Sequence, residues 1–536
     1  MSAQHEMQGT MVTVREATLT LLRSFGVTTI FGNPGSTEMA LFKHWPQDFK
    51  YILGLQEASV VAMADGYAQA AGNAAFVSLH SAAGVGHALG SIFTAYRNKT
   101  PLVIIAGQQT RAMLQSEPYL FATSATEFPQ PYVKWSCEPA SAESVPAAIA
   151  RAYYTAMEKP CGPTFVSVPT DDLDALTEPI AARKISYDLA PDPAALQQLA
   201  DALNSSEHPA LIVGPGVDQE GMWDSVIELA ERARASVWVS PFSSRCSFPE
   251  DHPLFAGFLP PVRAQLSTKL EGHDVIVALA APIFTYHVHT LGPVIPPGAQ
   301  LFQITDDPEV AARALTGTSI LGSLRLGIKQ LLTLLGETCR SWPIPRAALP
   351  VPQVTDPITG EFVMHTLACT MPRDAVIVEE APSHRDMLHD YLPIRASGGF
   401  YAGASGGLGY AQPAAVGVAL GSPGRKVICL AGDGSSLYSL QSLWTAAQLH
   451  LPIAFLVINN HSYAAMKYFS QRLGIENPPG VDLPGIDFVS LAQGFGCAAT
   501  RVERACDLSQ ALSTALEADQ PTLLDIIVDA TFAILY

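Results

Sequence analysis

The chain has 536 residues, a formal charge of −18 and 48% apolar residues against 15% charged ones. That length exceeds one hydrophobic core and predicts several domains. The acidity, with no basic block, argues against nucleic acid as a partner. No apolar run reaches the roughly 18 residues of a membrane span. The opening "MSAQHEMQGT" lacks the charged head and apolar stretch of a secretory signal, so a cytoplasmic location is expected. Eight cysteines are scattered without C-x-x-C spacing. They are read mostly as small core residues, without disulfides or zinc.

Short β-branched runs alternate with helical stretches along the whole chain, which predicts parallel sheets with crossover helices. The first block carries strands "TTIFG", "YILGL", "AAFVSLH" and "PLVIIAG", with an apolar helix "EASVVAMADGYAQAAG" closed by Gly72. Prolines and charges near 175–195 mark a linker. The second block carries "PALIVG", "ASVWVS", "DVIVALAA" and "AQLFQIT", and the proline-rich 341–360 is a second linker. The third block carries "AVIVEE", "KVICLAGDG", "PIAFLVINN" and "PTLLDIIV". The expected fold is α/β, with three doubly wound parallel-sheet domains over 11–180, 190–342 and 355–536.

Within the first block, "GNPGSTE" is a strand-to-helix turn that brings Ser36 to a sheet edge, although Ser36 would equally serve as a helix cap. Glu57 opens the apolar helix. It is either a carboxylate favoured by the helix dipole or a buried carboxyl able to share a proton with a ligand. His80 ends a strand before the small-residue loop "SAAGVG". The segment "AGVGHALG" imitates a dinucleotide loop, but the next strand ends in "QQT" without the acidic residue that a ribose needs. In the second block His287 follows the strand "DVIVALAA".

In the third block, Asp433 sits between two glycines and Asn460 lies 27 residues further on, each after an apolar strand. Parallel strands joined by a crossover helix deliver their carboxyl ends to one edge. A carboxylate and an amide oxygen there form a hard donor set suited to Mg²⁺ shared with phosphates. The connection "LYSLQSLWTAAQLHL" is expected to be helical.

These segments resemble thiamine diphosphate (ThDP) enzymes, and among them the benzoylformate decarboxylases. "FGNPGSTE", "YILGLQEASVVAMADGYAQA", "LHSAAGVGHALG", "AGQQTRAM", "ASGGLGYAQPAA" and "SLWTAAQ" carry the resemblance, which runs from about Met11 to the C-terminus. It implies a pyrimidine-binding, a central and a diphosphate-binding domain. ThDP would be held with Mg²⁺ (or Ca²⁺) on Asp433, Asn460 and the Ser462 carbonyl. Ser383, Gly434, Ser435 and Tyr463 would contact the diphosphate. Leu408 would be the apolar wedge beneath the cofactor, and the Gly406 carbonyl would meet its 4′-amino group.

The resemblance further implies catalytic roles for Glu57, Ser36, His80 and His287, and a substrate pocket that includes Tyr119, Leu120, Met466 and Phe469. The implied reaction is non-oxidative decarboxylation of an aromatic, benzoylformate-like 2-oxo acid to the aldehyde and CO₂, via a ThDP enamine. A ThDP carboligase or lyase of 2-hydroxy ketones, or an acetolactate-synthase-like enzyme, is the alternative. The implied assembly is a homo-oligomer, at minimum a dimer and usually a tetramer, in which the first block of one chain meets the third block of another. Four positions depart from the decarboxylase pattern: His461 stands for a glycine, His87 for an asparagine, and Tyr119 and Met466 for other pocket residues.

Overall fold

The computed structural model describes residues 11–530. Three six-stranded sheets, every strand pair parallel, carry the three domains. In the first, the spatial order is Lys50–Leu53, Thr29–Gly32, Ala75–Leu79, Leu102–Gln108, Pro163–Pro169 and Ser136–Cys137. In the central sheet it is Phe255–Phe258, Ser236–Val239, Pro209–Val213, Val275–Leu279, Gln300–Thr305 and Thr318–Leu321. In the third it is Phe400–Ala402, Val376–Glu380, Val427–Gly432, Ile453–Asn459, Thr522–Ile527 and Ala498–Val502. Helices cover both faces of each sheet, so the inner strands read as unbroken apolar runs; Leu102–Gln108 is buried at every position.

The helix Glu57–Ala71 starts at a Gln56 cap, whose side chain accepts from the Ser59 N–H, and ends at Gly72 with φ +66°. It is apolar nearly all round because it lies between its own sheet and the third domain's helix Ala411–Gly421. Two glycines allow that approach. A Cβ on Gly66 would strike the Ala414 main chain, and one on Gly417 would strike the main chain of Met63 and Tyr67. The first and third domains therefore share one hydrophobic core, whereas the two main central clusters contain central-domain residues alone.

The structure corrects three local expectations. The "SAAGVG" loop is not a loop: the helix Ser81–Asn98 begins directly after His80 and contains it. Of the connection 437–451, only Ser442–Gln448 is regular α-helix. Only Cys246, Cys429 and Cys497 are buried, while Cys339, Cys369 and Cys506 are exposed; all eight cysteines are free. Among the described residues no helix is long and apolar enough to cross a membrane.

Candidate active site

The carboxyl edge of the third sheet collects the acidic and amide groups. Adjacent strands Val376–Glu380, Val427–Gly432 and Ile453–Asn459 run in register and end at Glu380, Asp433 and Asn460. Asp433 is buried, which pushes its carboxyl up, against hydrogen bonds from main-chain N–H groups that pull it down. Its Oδ1 accepts from the Gly434 N–H at 2.8 Å and its Oδ2 from the Ser462 N–H at 3.0 Å. The same Ser462 N–H lies 3.1 Å from Asn460 Oδ1, so carboxylate and amide oxygens converge on one point. A buried carboxylate with poor hydration, beside an amide oxygen, is a fitting pair of ligands for a hard cation. Among the described residues no cluster of three His, Cys, Asp or Glu side chains could hold a metal. A cation here would therefore draw on Asp433, Asn460 and a main-chain carbonyl.

Above this edge opens a cavity of about 1630 Å³. Its lining holds Ser383, Gly406, Leu408, Asp433, Gly434, Ser435, Asn460, Ser462, Tyr463, Met466 and Phe469, and the central domain contributes His287. A side chain at Gly434 would run into the Tyr463 ring, so that glycine keeps the cleft open. The His287 ring stands edge-on to Phe469 at 5.2 Å and to Phe242 at 5.9 Å, which gives the cavity an aromatic wall.

The segment 403–409, which carries Gly406 and Leu408, is tied at both ends. Asn98 accepts from the Ala404 N–H, and Ser405 shares a hydrogen bond with Thr94. At the far end the Glu380 carboxyl accepts from the Gly409, Tyr410 and Ala411 N–H groups at 2.8–3.0 Å. Burial pushes that carboxyl up to about 8, against those three bonds.

The other expected site residues stand elsewhere on the chain, at the carboxyl edge of the first sheet. Neighbouring strands there lead into Asn33 and Ser36, Glu57, and His80. None of Ser36, Glu57, His80, Tyr119 or Leu120 lines the cavity of its own chain. Ser36 is exposed, and the cap position is Gly35, whose N–H donates to Glu38, so Ser36 does not serve as the cap. Tyr119 is 88% exposed; the carbonyl of Leu120 accepts from the Ser81 hydroxyl, which holds this loop beside His80.

His80 Nδ1 lies 2.9 Å from Glu38 Oε2 and 3.0 Å from the Thr37 hydroxyl. Thr37 donates to Glu38 Oε1, and the Gly35 N–H donates to Oε2. The buried carboxylate thus assigns the ring proton to Nδ1 and leaves Nε2 as the unprotonated nitrogen. Gly35 and Gly107 make room for this arrangement, since a Cβ on either would strike His80 or the Thr37–Glu38 pair. Glu57 is 9% exposed. Its Oε1 accepts from Asn33 Nδ2 at 3.2 Å and its Oε2 faces His87 Nδ1 at 3.0 Å, so its surroundings are polar as well as apolar.

Four residues were missed by the sequence reading: Asn33, Glu38, Phe242 and Glu380. A signal existed for Glu380, because a carboxylate ending an apolar strand is the feature that singled out Asp433. Glu38 belongs to the quoted "GNPGSTE", but no spacing rule links it to His80. His461 has φ +57°, which is a left-handed conformation that glycine adopts without strain and histidine tolerates at a cost.

Comparison with known proteins identifies the class. Three family models match in sequence order: thiamine pyrophosphate enzyme, N-terminal TPP binding domain over 12–131, central domain over 196–331, and C-terminal TPP binding domain over 381–526. The chain belongs to the ThDP-dependent enzymes. It is 42% identical to the benzoylformate decarboxylase of Pseudomonas aeruginosa, over 96% of this chain and 99% of that one. Among solved structures it resembles benzoylformate decarboxylase from Polynucleobacter necessarius, with TM-score 0.95 and 40% identity over 97% of this chain and 99% of that one. It also resembles the ThDP-dependent 4-hydroxybenzoylformate decarboxylase of Rhodococcus jostii, with TM-score 0.94 and 40% identity over 98% and 100%. Acetolactate synthases are more distant; the isozyme 3 large subunit of Escherichia coli is 25% identical over 94% of this chain and 93% of that one.

Proposed function

We propose that this enzyme converts an aromatic 2-oxo acid and a proton into the aldehyde and CO₂, without oxidation. The observation that carries the assembly is the separation of the site into two halves. One chain offers a cavity with cation and diphosphate donors, and on a different surface an edge with Glu57, Ser36 and His80. A complete site then takes the cavity of one chain and the edge of another, in a homodimer at minimum and a tetramer in full. The cytoplasm is the compartment we assign.

Asp433, Asn460 and the Ser462 carbonyl hold Mg²⁺ or Ca²⁺ against the diphosphate, with Ser383, Gly434, Ser435 and Tyr463 beside it. Gly406 and Leu408 seat the rest of the cofactor. Bound ThDP supplies the nucleophilic carbon and the electron sink for loss of carboxylate. Glu57 holds a proton for the pyrimidine ring, and Ser36 orients the substrate carboxylate. His80 accepts or returns a proton at Nε2, while His287 does so from the opposite, central-domain wall. Met466 and Phe469 from the cavity, with Tyr119 and Leu120 from the edge, surround the substrate's ring. The aromatic wall of Phe242, His287 and Phe469 supports an aryl substrate, as do the names of the similar decarboxylases.

The test is a panel of aryl and alkyl 2-oxo acids with added ThDP and Mg²⁺, scored for CO₂ and aldehyde. Aryl acids should turn over best. Absence of CO₂ from every acid would overturn the proposal in favour of the carboligase reading.

A further inference from the structure

The helix Ser81–Asn98 turns His87 toward Glu57, with Nδ1 3.0 Å from Oε2. The Glu57 side chain is nearly covered, whereas the His87 side chain is 63% exposed on this chain. Gly84, one turn before His87, lies against the Glu57 side chain, so the helix and the carboxyl are in direct contact. Among the described residues, Asn33 and His87 are the only side chains hydrogen-bonded to this carboxyl, and of the two only His87 can carry a mobile proton.

The other ionisable groups on the packed elements are engaged elsewhere. Asp65, two turns along the Glu57 helix, is bound by Gln69, Asn98 and Thr100. Glu38 and His80 are paired with each other, and the packed helix Ala411–Gly421 carries no charged residue. Arg97 lies in the last turn of the His87 helix, far along from the pair.

We propose that His87 is a positioning residue that keeps a proton available to Glu57. The inference rests on Glu57 serving the cofactor's pyrimidine ring. Nδ1 and Oε2 share one hydrogen bond, and an imidazole holds its proton to higher pH than a carboxyl does. Whether that proton rests on Nδ1 or on Oε2, it needs only to cross one hydrogen bond to reach the carboxyl. When Glu57 passes a proton to a ring nitrogen of the cofactor, His87 replaces it from Nδ1, and no proton is drawn from bulk water. Asparagine at this position, whose amide nitrogen can take the place of Nδ1, would keep the hydrogen bond and lose the reservoir.

The test is His87→Asn in the full-length protein, with proton uptake on ThDP binding measured by titration calorimetry in buffers of different ionisation enthalpy. Between the ordinary carboxylate and imidazole ranges, at about pH 5.5, the variant should take up more protons per ThDP than the wild type, by up to about one, because Glu57 must then be filled from solvent. In turnover, the alkaline limb of its kcat/KM profile should move to lower pH. Equal proton uptake and superimposable pH profiles would overturn the proposal, since a purely structural histidine is replaced by asparagine without either change. A wild type that binds ThDP but releases no CO₂ would overturn the decarboxylase function, and the difference in proton uptake would still support His87 as the reservoir.

Discussion

Replacing Glu380 with glutamine is the most direct probe of the segment 403–409, proposed above to seat the cofactor. Glu380 offers Oε1 to the Gly409 N–H and Oε2 to those of Tyr410 and Ala411. Glutamine has one oxygen, and satisfying the latter two leaves its NH₂ facing the Gly409 donor. A buried N–H left without an acceptor costs about 1–3 kcal/mol. If segment 403–409 shifts to recover that bond, ThDP affinity should weaken by about 5- to 150-fold. The variant should also change how stability depends on pH. Burial raises this carboxyl from 4.5 to about 8, so between those values the folded chain holds a proton that the unfolded chain has lost. Stability from this group is fully present at the acid end and declines as pH rises toward 8, by about 5 kcal/mol in all. The amide cannot titrate. Thermal midpoints recorded for both proteins from pH 5 to 9 should therefore converge, the variant being the less stable at pH 5 and recovering relative to the wild type by pH 9. Parallel midpoint curves, together with an unchanged Kd for ThDP, would refute the reasoning.

Three further outcomes are expected. Glu57→Gln should fold normally by circular dichroism and lose at least about 100-fold in turnover, the lower bound for removing a proton-transfer group. Glu38→Gln should retain ThDP and lose about 10-fold or more in kcat, because the His80 tautomer is no longer fixed by an anion; an unchanged rate would show that the pair is structural. Gly417→Val should force the Glu57–Ala71 helix off its partner and cost about 3 kcal/mol, lowering the thermal midpoint by several degrees. An unaltered midpoint would mean that the helix pair tolerates a gap.

Much of this architecture is legible in residue order because parallel sheets are simple to read: buried strands are continuous apolar runs, and polar residues at their ends stand out. Asp433, Asn460 and Glu57 were found in that way. The convergence of Asp433 and Asn460 could be argued from crossover handedness within one domain. The Glu38–His80 pair could not, because 42 residues separate its members and only the sheet brings them together. His287, flanked by Phe242, meets Phe469 across a domain boundary, where no periodicity applies. The "SAAGVG" stretch misled in the opposite sense. Its small residues read as a turn, yet they open the helix Ser81–Asn98 and bring Gly84 beside the Glu57 side chain.

The core shared by the first and third domains bears on how such a chain can be rebuilt. Gly66 and Gly417 pack main chain against main chain, so neither domain can be exchanged for a relative's version without its mate. The central domain encloses two clusters of its own, and meets its neighbours through a few residues such as Trp223 and Cys246 in the third domain's core and Arg245 on Gln69. Recombination between related enzymes should therefore tolerate a transplanted middle more readily than a transplanted end. The outer two domains form a single unit of inheritance, although the chain visits them at opposite ends.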